Sequence, residues 1–569
     1  MTIILDNVSE KEPGMKKMIL AAVNAKYIHS NLAVYSLKTY CQKKQGIGIG
    51  LKEYTINQQK EEIMRDLYGE NPDVLAFSCY IWNISIVKEL LCELSKVLPH
   101  TCFWVGGPEV SYDARQFLEE NPWVTGVMKG EGEETFSCLA GYYLKGEGEL
   151  EGIEGITFRK DGEILENPWR EPLDLDTVPF VYEQLQEFQN RILYYESSRG
   201  CPFSCSYCLS SVDKKLRFRS PERVKEELQF FLDRQVPQVK FVDRTFNCKK
   251  AHALEIWKYL AEHDNGITNF HFEISADLLT DEEIQLMKKM RPGLIQLEIG
   301  VQSVNEDTLK AIGRKMDFSR VKERVRQVKE GGNIHQHLDL IAGLPWEDLE
   351  SFHRSFEEVY ALEPEQLQLG FLKVLKGSRM YEEAKNCGCV YQEKEPYEVL
   401  FTRWISYGDL LQLKTVESMV EIYYNSCQFV NTLKTILPWF TDAFTFYLEL
   451  GNYYEEQGYL LLSHSRLRRY EILREFLKKQ KQIPLKEAEE AMLLDLYLRE
   501  RLKSRPAWAP ERGSYEKKLN RLRKERQIPK TAHIEVFEPG RILLFDYENR
   551  DPLTKNARVE ELDWNLDEE

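Results

Sequence analysis

The chain has 569 residues, a formal net charge of −16, 43% hydrophobic residues and 12 cysteines. The cysteines are too sparse and too unevenly spaced for a disulfide scaffold. No run of uncharged apolar residues is long enough to span a membrane, and the N-terminal residues lack the basic and apolar regions of a secretory leader. A globular protein with reduced thiols is therefore expected, cytoplasmic and without a membrane span, and too acidic to bind nucleic acid over its whole surface.

Residues 1–14 are polar and acidic and read as a tail. Residues 15–160 hold four apolar runs separated by helical patterns: 15–42, "PDVLAFSCYIWNIS" (72–85), "CFWVGGPEVS" (102–111) and "WVTGVMKGEGEETF" (123–136). They predict an α/β domain built on a doubly wound, Rossmann-like parallel sheet. In such sheets ligands dock at the carboxyl ends of strands, where glycines let the backbone approach. Ser78, Tyr80 and Trp82 follow the second run, Gly106, Gly107 and Glu109 end the third, and Gly130 and Glu131 end the fourth. His29 lies in the loop after the first run, where an ordinary packed histidine outweighs a metal ligand. Residues 161–189 are acidic, are broken by Pro168, Pro172 and Pro179, and read as a linker.

Residues 190–380 alternate six β-rich runs with helical patterns, one helix starting at Pro221 and another near Asp281. Six βα units predict a partial (β/α)6 barrel of TIM type, with its chemistry at the carboxyl ends of the strands. After the first of these runs comes "SSRGCPFSCSYC" (197–208), which sets Cys201, Cys205 and Cys208 close together in a Gly/Pro/Ser loop. Zinc would need a fourth ligand near by, and Cys248 and His252 lie far along the chain. A four-iron cluster accepts three thiolates and keeps one iron open to an outside ligand.

With Tyr207 before the last cysteine, the loop resembles the C-x3-C-x-aromatic-C motif of radical S-adenosylmethionine (radical SAM) enzymes. "EIGVQSVNEDTLKAIGR" (298–314) and "DLIAGLPWE" (339–347) are similar to fourth- and fifth-strand motifs of that superfamily's coproporphyrinogen-dehydrogenase-like branch. The resemblance implies a 4Fe-4S cluster on Cys201, Cys205 and Cys208. It also implies that S-adenosylmethionine chelates the open iron and is cleaved to a 5′-deoxyadenosyl radical, with electrons from an external donor of flavodoxin or ferredoxin type. Carried over by position, Gln302 and Arg314 hold the methionine end, and Glu273 and Asp339 meet the ammonium and ribose. A salt bridge closing the barrel is the rival role for those two acids. "FVDRTFN" (241–247) stands where many members have Gly-Gly-Glu, so Asp243 and Thr245 join Tyr207 as candidate SAM contacts and Arg244 is open to face substrate.

Directly before such a barrel, residues 15 to about 180 resemble the cobalamin-binding domain of cobalamin-dependent radical SAM enzymes, with counterparts to "SCYIWN" and "GGPEVS". This implies cobalamin beside Ser78, Tyr80, Trp82, Gly106, Gly107, Glu109, Gly130 and Glu131. The Asp-x-His-x-x-Gly motif that supplies a lower histidine elsewhere is absent, so a base-off corrinoid without a protein histidine is expected.

Residues 381–569 read as a mainly α-helical domain with a terminal β-hairpin over 531–547, a layout similar to an uncharacterised carboxyl-terminal domain of some cobalamin radical SAM proteins. Its aromatic stripes, including Trp404, Tyr423, Tyr424, Trp439 and Phe440, are expected to pack helices. Cys387 and Cys389 read as a turn with incidental thiols. The segment 499–530 carries twelve Lys/Arg against four Glu. It is either a solvated basic helix packed on acidic neighbours or an arm gripping tRNA, with Trp508 and Tyr515 stacking on bases. Three functions are weighed: a cobalamin-dependent methyltransferase acting on an unactivated carbon, a non-methylating oxidoreductase or cyclase of the magnesium-protoporphyrin ester cyclase branch, and a non-enzymatic cluster-binding regulator. The last has no use for SAM-contacting positions. The substrate is expected to be a small molecule or tRNA.

Overall fold

Met18–Asn24 (β1) buries seven residues in a row, which a strand achieves only when both its faces are covered. The same holds for Val74–Ser78 (β3), and the loops after both strands begin where the apolar run stops. The computed structural model describes residues 16–562 apart from Gln184, Ser514, Pro539, Pro552 and Leu553; the expected tail over 1–14 lies outside them. The chain divides into two compact units, the first comprising residues 1–246, 373–386 and 391–398 and the second the remainder.

In the first unit, Gly50–Thr55 (β2), Cys102–Gly106 (β4), Gly126–Met128 (β5), Ile156–Lys160 (β6) and Glu163–Glu166 (β7) complete a seven-stranded sheet of order β2-β1-β3-β4-β5-β6-β7. The first five strands are parallel, and β6 and β7 run antiparallel. β2 and β3 flank β1, so the connections leave β1 in opposite directions and open a crevice at its carboxyl end. The sequence reading misses β2 and places β7 in the linker. Both are short, charged edge or near-edge strands without a buried apolar run. Leu193–Tyr195 (β8) and Gln238–Phe241 (β11) pair in parallel in the same unit, while Ser198–Arg199 (β9) and Arg217–Phe218 (β10) form a small antiparallel ribbon. The helix Pro221–Asp233 starts with Pro221 in its first turn, as the sequence predicts.

In the second unit, Asn269–Ile274 (β12), Ile295–Gln302 (β13), His335–Ala342 (β14) and Gln366–Phe371 (β15) pair in sequence and in parallel. Register aligns Glu273 with Glu298 and Glu298 with His337, so these side chains share one face. The helix Asp281–Met287 is capped by Thr280, with Glu283 closing a capping box.

Beyond the barrel strands, helices Tyr407–Met419, Ala443–Glu456, Arg466–Lys479 and Leu485–Arg499 pack around buried Tyr423, Tyr447, Tyr454 and Tyr470. Trp439 is instead exposed, because the turn Leu437–Trp439 at Pro438 breaks the helical stripe. The terminal sheet has three antiparallel strands, His533–Phe537, Arg541–Arg550 and Ala557–Leu562; the third, rich in glutamate, extends the expected hairpin. Among the described residues no helix is long and apolar enough to cross a membrane.

Candidate active site

The cysteine loop is shaped by its backbone. Gly200 has φ +90°, and a Cβ there would lie 2.7 Å from the Lys215 carbonyl oxygen, so only glycine lets the chain enter the loop. The Cys201 N–H donates to Asp213 O at 3.0 Å, the Cys208 N–H to Cys205 O at 3.2 Å and the Met380 N–H to Ser206 O at 2.8 Å. Cys201 and Cys205 are buried and Cys208 is half-buried. Burial pushes the Cys201 thiol up, the Phe203 backbone and the Thr245 hydroxyl pull against it, and the neighbouring Cys208 and Cys205 raise it further. Three mutually close thiols in a partly desolvated loop suit a cation that displaces their protons.

Thr245 Oγ lies 3.9 Å from Cys201 Sγ and donates to the Arg244 carbonyl. Asp243, expected at a SAM contact, is fully buried. Its carboxylate accepts the Ser197 N–H at 3.0 Å, the Ser197 hydroxyl at 2.6 Å and the Ser198 hydroxyl at 2.5 Å. Its carboxyl is pushed up to about 6 by burial, with those hydrogen bonds working against the rise. Asp243 thus ties the turn after β11 to the start of the cysteine loop.

A cavity of about 1070 Å³ opens at the carboxyl ends of β1, β3, β4 and β5. Its wall includes Ser78, Tyr80, Trp82, Gly106, Gly107, Gly130 and Glu131, seven of the eight positions read as cobalamin contacts, and it extends to Leu209, the residue after Cys208. Tyr80 and Trp82 stack with centroids 4.4 Å apart, and Trp82 Nε1 donates to Val23 O at 3.2 Å. Gly107 has φ +116°, and a Cβ on it would sit 2.4 Å from Cys79 O. Glu109 is not part of the wall. Its buried carboxylate accepts the Tyr397 hydroxyl at 2.8 Å, and burial raises it. His29 does reach the wall, with Nδ1 2.6 Å from the Tyr194 hydroxyl; burial, Lys26 and Lys240 lower its pKa, so it is neutral near pH 7.

Sequence reasoning misses the residue that joins this cavity to the loop. Arg199, two before Cys201, contacts Glu131 at 3.3 Å, Glu133 at 2.5 Å and Glu196 at 2.9 Å. Burial pushes the Glu133 carboxyl up, but the Arg199 guanidinium and the Ser36 hydroxyl outweigh it and hold the carboxyl below the usual range. The acidic run "EGEE" and a loop arginine are the signals in the sequence, but nothing local links positions so far apart.

In the second unit the remaining SAM candidates sit at or near strand ends. Gln302 ends β13 with φ +74° across a register shift, and its Oε1 is buried with no hydrogen-bond partner among the described residues. Arg314 donates through Nη2 to the Gly300 carbonyl. A Cβ on Gly300 would strike Gln302 Nε2, at 2.3 Å. Asp339 lies 3.0 Å from His337 Nε2, and Glu273 is half-buried on β12. An orphaned amide oxygen beside a guanidinium in a glycine-lined cradle fits an amino-acid moiety that carries both charges.

Residues 18–140 match the B12 binding domain, 195–359 the radical SAM superfamily and 385–551 a family described as a protein of unknown function (DUF4080). The chain carries a B12-binding domain and a radical SAM domain. The first implies cobalamin, and the second implies a 4Fe-4S cluster and S-adenosylmethionine. The chain is 29% identical over 303 residues to the cobalamin-dependent radical SAM methyltransferase TokK of Streptomyces tokunonensis, covering 49% of this chain and 44% of that protein. It is 22% identical over 333 residues to the anaerobic magnesium-protoporphyrin IX monomethyl ester cyclase of Cereibacter sphaeroides, covering 55% and 53%. The chain thus spans about half the length of these curated relatives. The fold is similar to the cobalamin-dependent S-adenosylmethionine radical enzyme OxsB with aqua-cobalamin and S-adenosylmethionine bound, at a TM-score of 0.59 and 17% identity, covering 84% of this chain and 79% of that one.

Proposed function

We propose that the protein is a cobalamin-dependent radical SAM methyltransferase that methylates an unactivated carbon of a small molecule. One observation carries the reading: the cavity at the carboxyl ends of the N-terminal strands runs on to Leu209, next to Cys208. That wall would hold a corrinoid, and Cys201, Cys205 and Cys208 in the adjoining loop would hold the cluster. When bound, the cluster supplies the electron that cleaves S-adenosylmethionine and the corrinoid carries the methyl group.

The chain's own residues supply position and dryness. Asp243 fixes the loop, Arg199 fixes the acidic turn after β5 against it, and the Tyr80–Trp82 stack covers the cavity wall. Gln302 and Arg314 orient the methionine end of S-adenosylmethionine, with Glu273 and Asp339 on its ammonium and ribose. His29, held through Nδ1 by the Tyr194 hydroxyl, would form part of the wall that holds a corrinoid. The reading includes an external one-electron donor of flavodoxin or ferredoxin type and a reducing, cytoplasmic setting, which a cluster on three thiolates requires.

The basic segment does not favour a tRNA substrate. Arg505 and Arg512 pair with fully buried Glu535, and Trp508 packs against the hydrophobic cluster of the terminal sheet. The test is anaerobic reconstitution with iron and cobalamin, followed by analysis of the products formed from methyl-labelled S-adenosylmethionine. The expected outcome is one four-iron cluster, uptake of base-off corrinoid and label leaving through the corrinoid, with all S-adenosylmethionine cleavage lost in Cys205→Ala. Normal 5′-deoxyadenosine formation by Cys205→Ala removes the cluster assignment. Corrinoid uptake without label transfer points to non-methylating chemistry.

A further inference from the structure

Four arginines reach the cavity wall, and the fold answers three of them. Arg199 meets Glu131, Glu133 and Glu196. Arg219 meets Glu227 and the carbonyls of Glu196 and Val178. Arg170 donates to Thr135 Oγ at 3.0 Å and to the Glu154 carbonyl at 3.3 Å. Arg244 differs. Among the described residues its guanidinium makes no hydrogen bond or ion pair, although it lines the same cavity.

The backbone of Arg244 is nevertheless held firmly. Asp243 before it is clamped to Ser197 and Ser198, and Thr245 after it donates to the Arg244 carbonyl at 2.8 Å while lying 3.9 Å from Cys201 Sγ. The side chain therefore starts from a fixed point beside the cysteine loop, and it is exposed to the cavity it lines. It also acts across the cavity: burial pushes the Tyr80 phenol up to about 12, and Arg244 is the first charge working against that rise. A guanidinium offers five donors in a planar fork that matches a carboxylate or phosphate. Other arginines in this wall spend that fork on the protein, and Arg244 keeps it free.

We propose that Arg244 is the anion-reading residue of this cavity and that the methyl acceptor carries a carboxylate or phosphate which docks on it, on the Cys201 side. The inference rests on the reading of the cavity as the site of methyl transfer, and its test separates the two.

The reconstituted holoenzyme and its Arg244→Gln and Arg244→Lys forms are titrated calorimetrically with inorganic phosphate and with acetate at constant ionic strength. At least one anion is expected to bind the wild type and to bind Arg244→Gln about tenfold or more weakly, with Arg244→Lys between, because lysine keeps the charge and loses the fork. Preference for phosphate or for acetate names the acceptor's group. The corrinoid stoichiometry and the dissociation constant for S-adenosylmethionine are expected to be unchanged in Arg244→Gln. Equal anion binding by wild type and Arg244→Gln, or none by the wild type, overturns the proposal. A weakened affinity for S-adenosylmethionine assigns the guanidinium to that cofactor's carboxylate, and lost corrinoid assigns it to the corrinoid's phosphate; either also overturns it. Failure of the wild type to take up corrinoid defeats the methyl-transfer reading alone, because anion binding is still read on the cluster-loaded protein.

Discussion

The carboxylate of Asp243 accepts the backbone N–H of Ser197 at 3.0 Å, joining the turn after one strand to the mouth of the loop that follows another. Two serine hydroxyls complete its ring of donors. Asparagine keeps the shape but has only one oxygen to accept with, so at least one buried donor loses its partner, at a cost of about 1–3 kcal/mol. Asp243→Asn should therefore lower the melting temperature and the iron retained after reconstitution. Because the folded carboxyl is raised to about 6 from 3.8, the group's stabilising contribution is present in full below about pH 4 and declines as pH rises towards 6. An amide has no such slope, so the gap in melting temperature between wild type and variant should narrow from pH 4 to 7. A gap independent of pH would show that Asp243 is ionised throughout.

Gly107 tests the cavity wall. Its φ is +116°, and the Cβ of an alanine there would fall 2.4 Å from Cys79 O, forcing the backbone apart where the loops after β3 and β4 meet. Gly130→Ala is the control: φ +71° there is strained too, but its Cβ meets only the Trp169 ring edge at 3.3 Å. Gly107→Ala should lose corrinoid uptake and several degrees of melting temperature, on the scale of about 2–4 kcal/mol for a backbone clash with strain, and Gly130→Ala less. Equal losses in titrations with hydroxocobalamin would argue against Gly107 as a point of close approach.

Much of this architecture is legible in the sequence because its signals are local. β1 and β3 announce themselves as unbroken apolar runs, and the cysteine loop compresses three ligands into eight residues. β2 is invisible for the opposite reason. Its sequence "GLKEYT" places Lys52 and Glu53 in an edge strand, yet Glu53 accepts hydrogen bonds from Asn24, Asn31 and Tyr35 and pairs with Arg191. An acid that serves as a hub for residues scattered from 24 to 191 leaves no periodic trace. Arg199 is the same case, and so is Glu109, whose place in "GGPE" suggests a ligand contact while its partner Tyr397 lies 288 residues away.

Arg314 offers a direct check on the SAM reading. Its guanidinium donates to the Gly300 carbonyl beside Gln302, which holds a planar fork suited to a carboxylate at that strand end. Lysine cannot serve both, so Arg314→Lys should weaken S-adenosylmethionine binding by about 1–3 kcal/mol, roughly tenfold or more in dissociation constant. Equilibrium dialysis of the cluster-loaded protein measures this. Unchanged affinity would move the methionine end away from β13.

Glu535 explains why the basic segment is not a free arm. It is fully buried on the first strand of the terminal sheet, between Arg512 at 2.5 Å, Arg505 at 3.3 Å and His533 at 3.4 Å. Leu519 and Leu522 of the helix Tyr515–Glu525 pack against Ile534 and Ile542 of the same sheet, so the segment is seated by apolar contacts as well as charge. Burial pushes the Glu535 carboxyl up, but His533, Arg512 and Arg505 together hold it at about 2. A depressed carboxyl stabilises above its unfolded value, here 4.5, and loses that contribution as pH falls through 4.5 towards 2. Glu535→Gln takes the carboxylate from two half-buried guanidinium groups, Arg505 and Arg512, and should cost about 1–3 kcal/mol in the carboxyl-terminal domain at neutral pH. The penalty should shrink in acid as the wild type protonates. Hydrogen exchange over residues 499–562 reads both effects without reference to activity. Charge reversal at Arg521 and Lys524, which are exposed, and at half-buried Arg523 should by contrast leave exchange and S-adenosylmethionine turnover intact. A turnover that collapses with salt and with those reversals would restore the RNA arm.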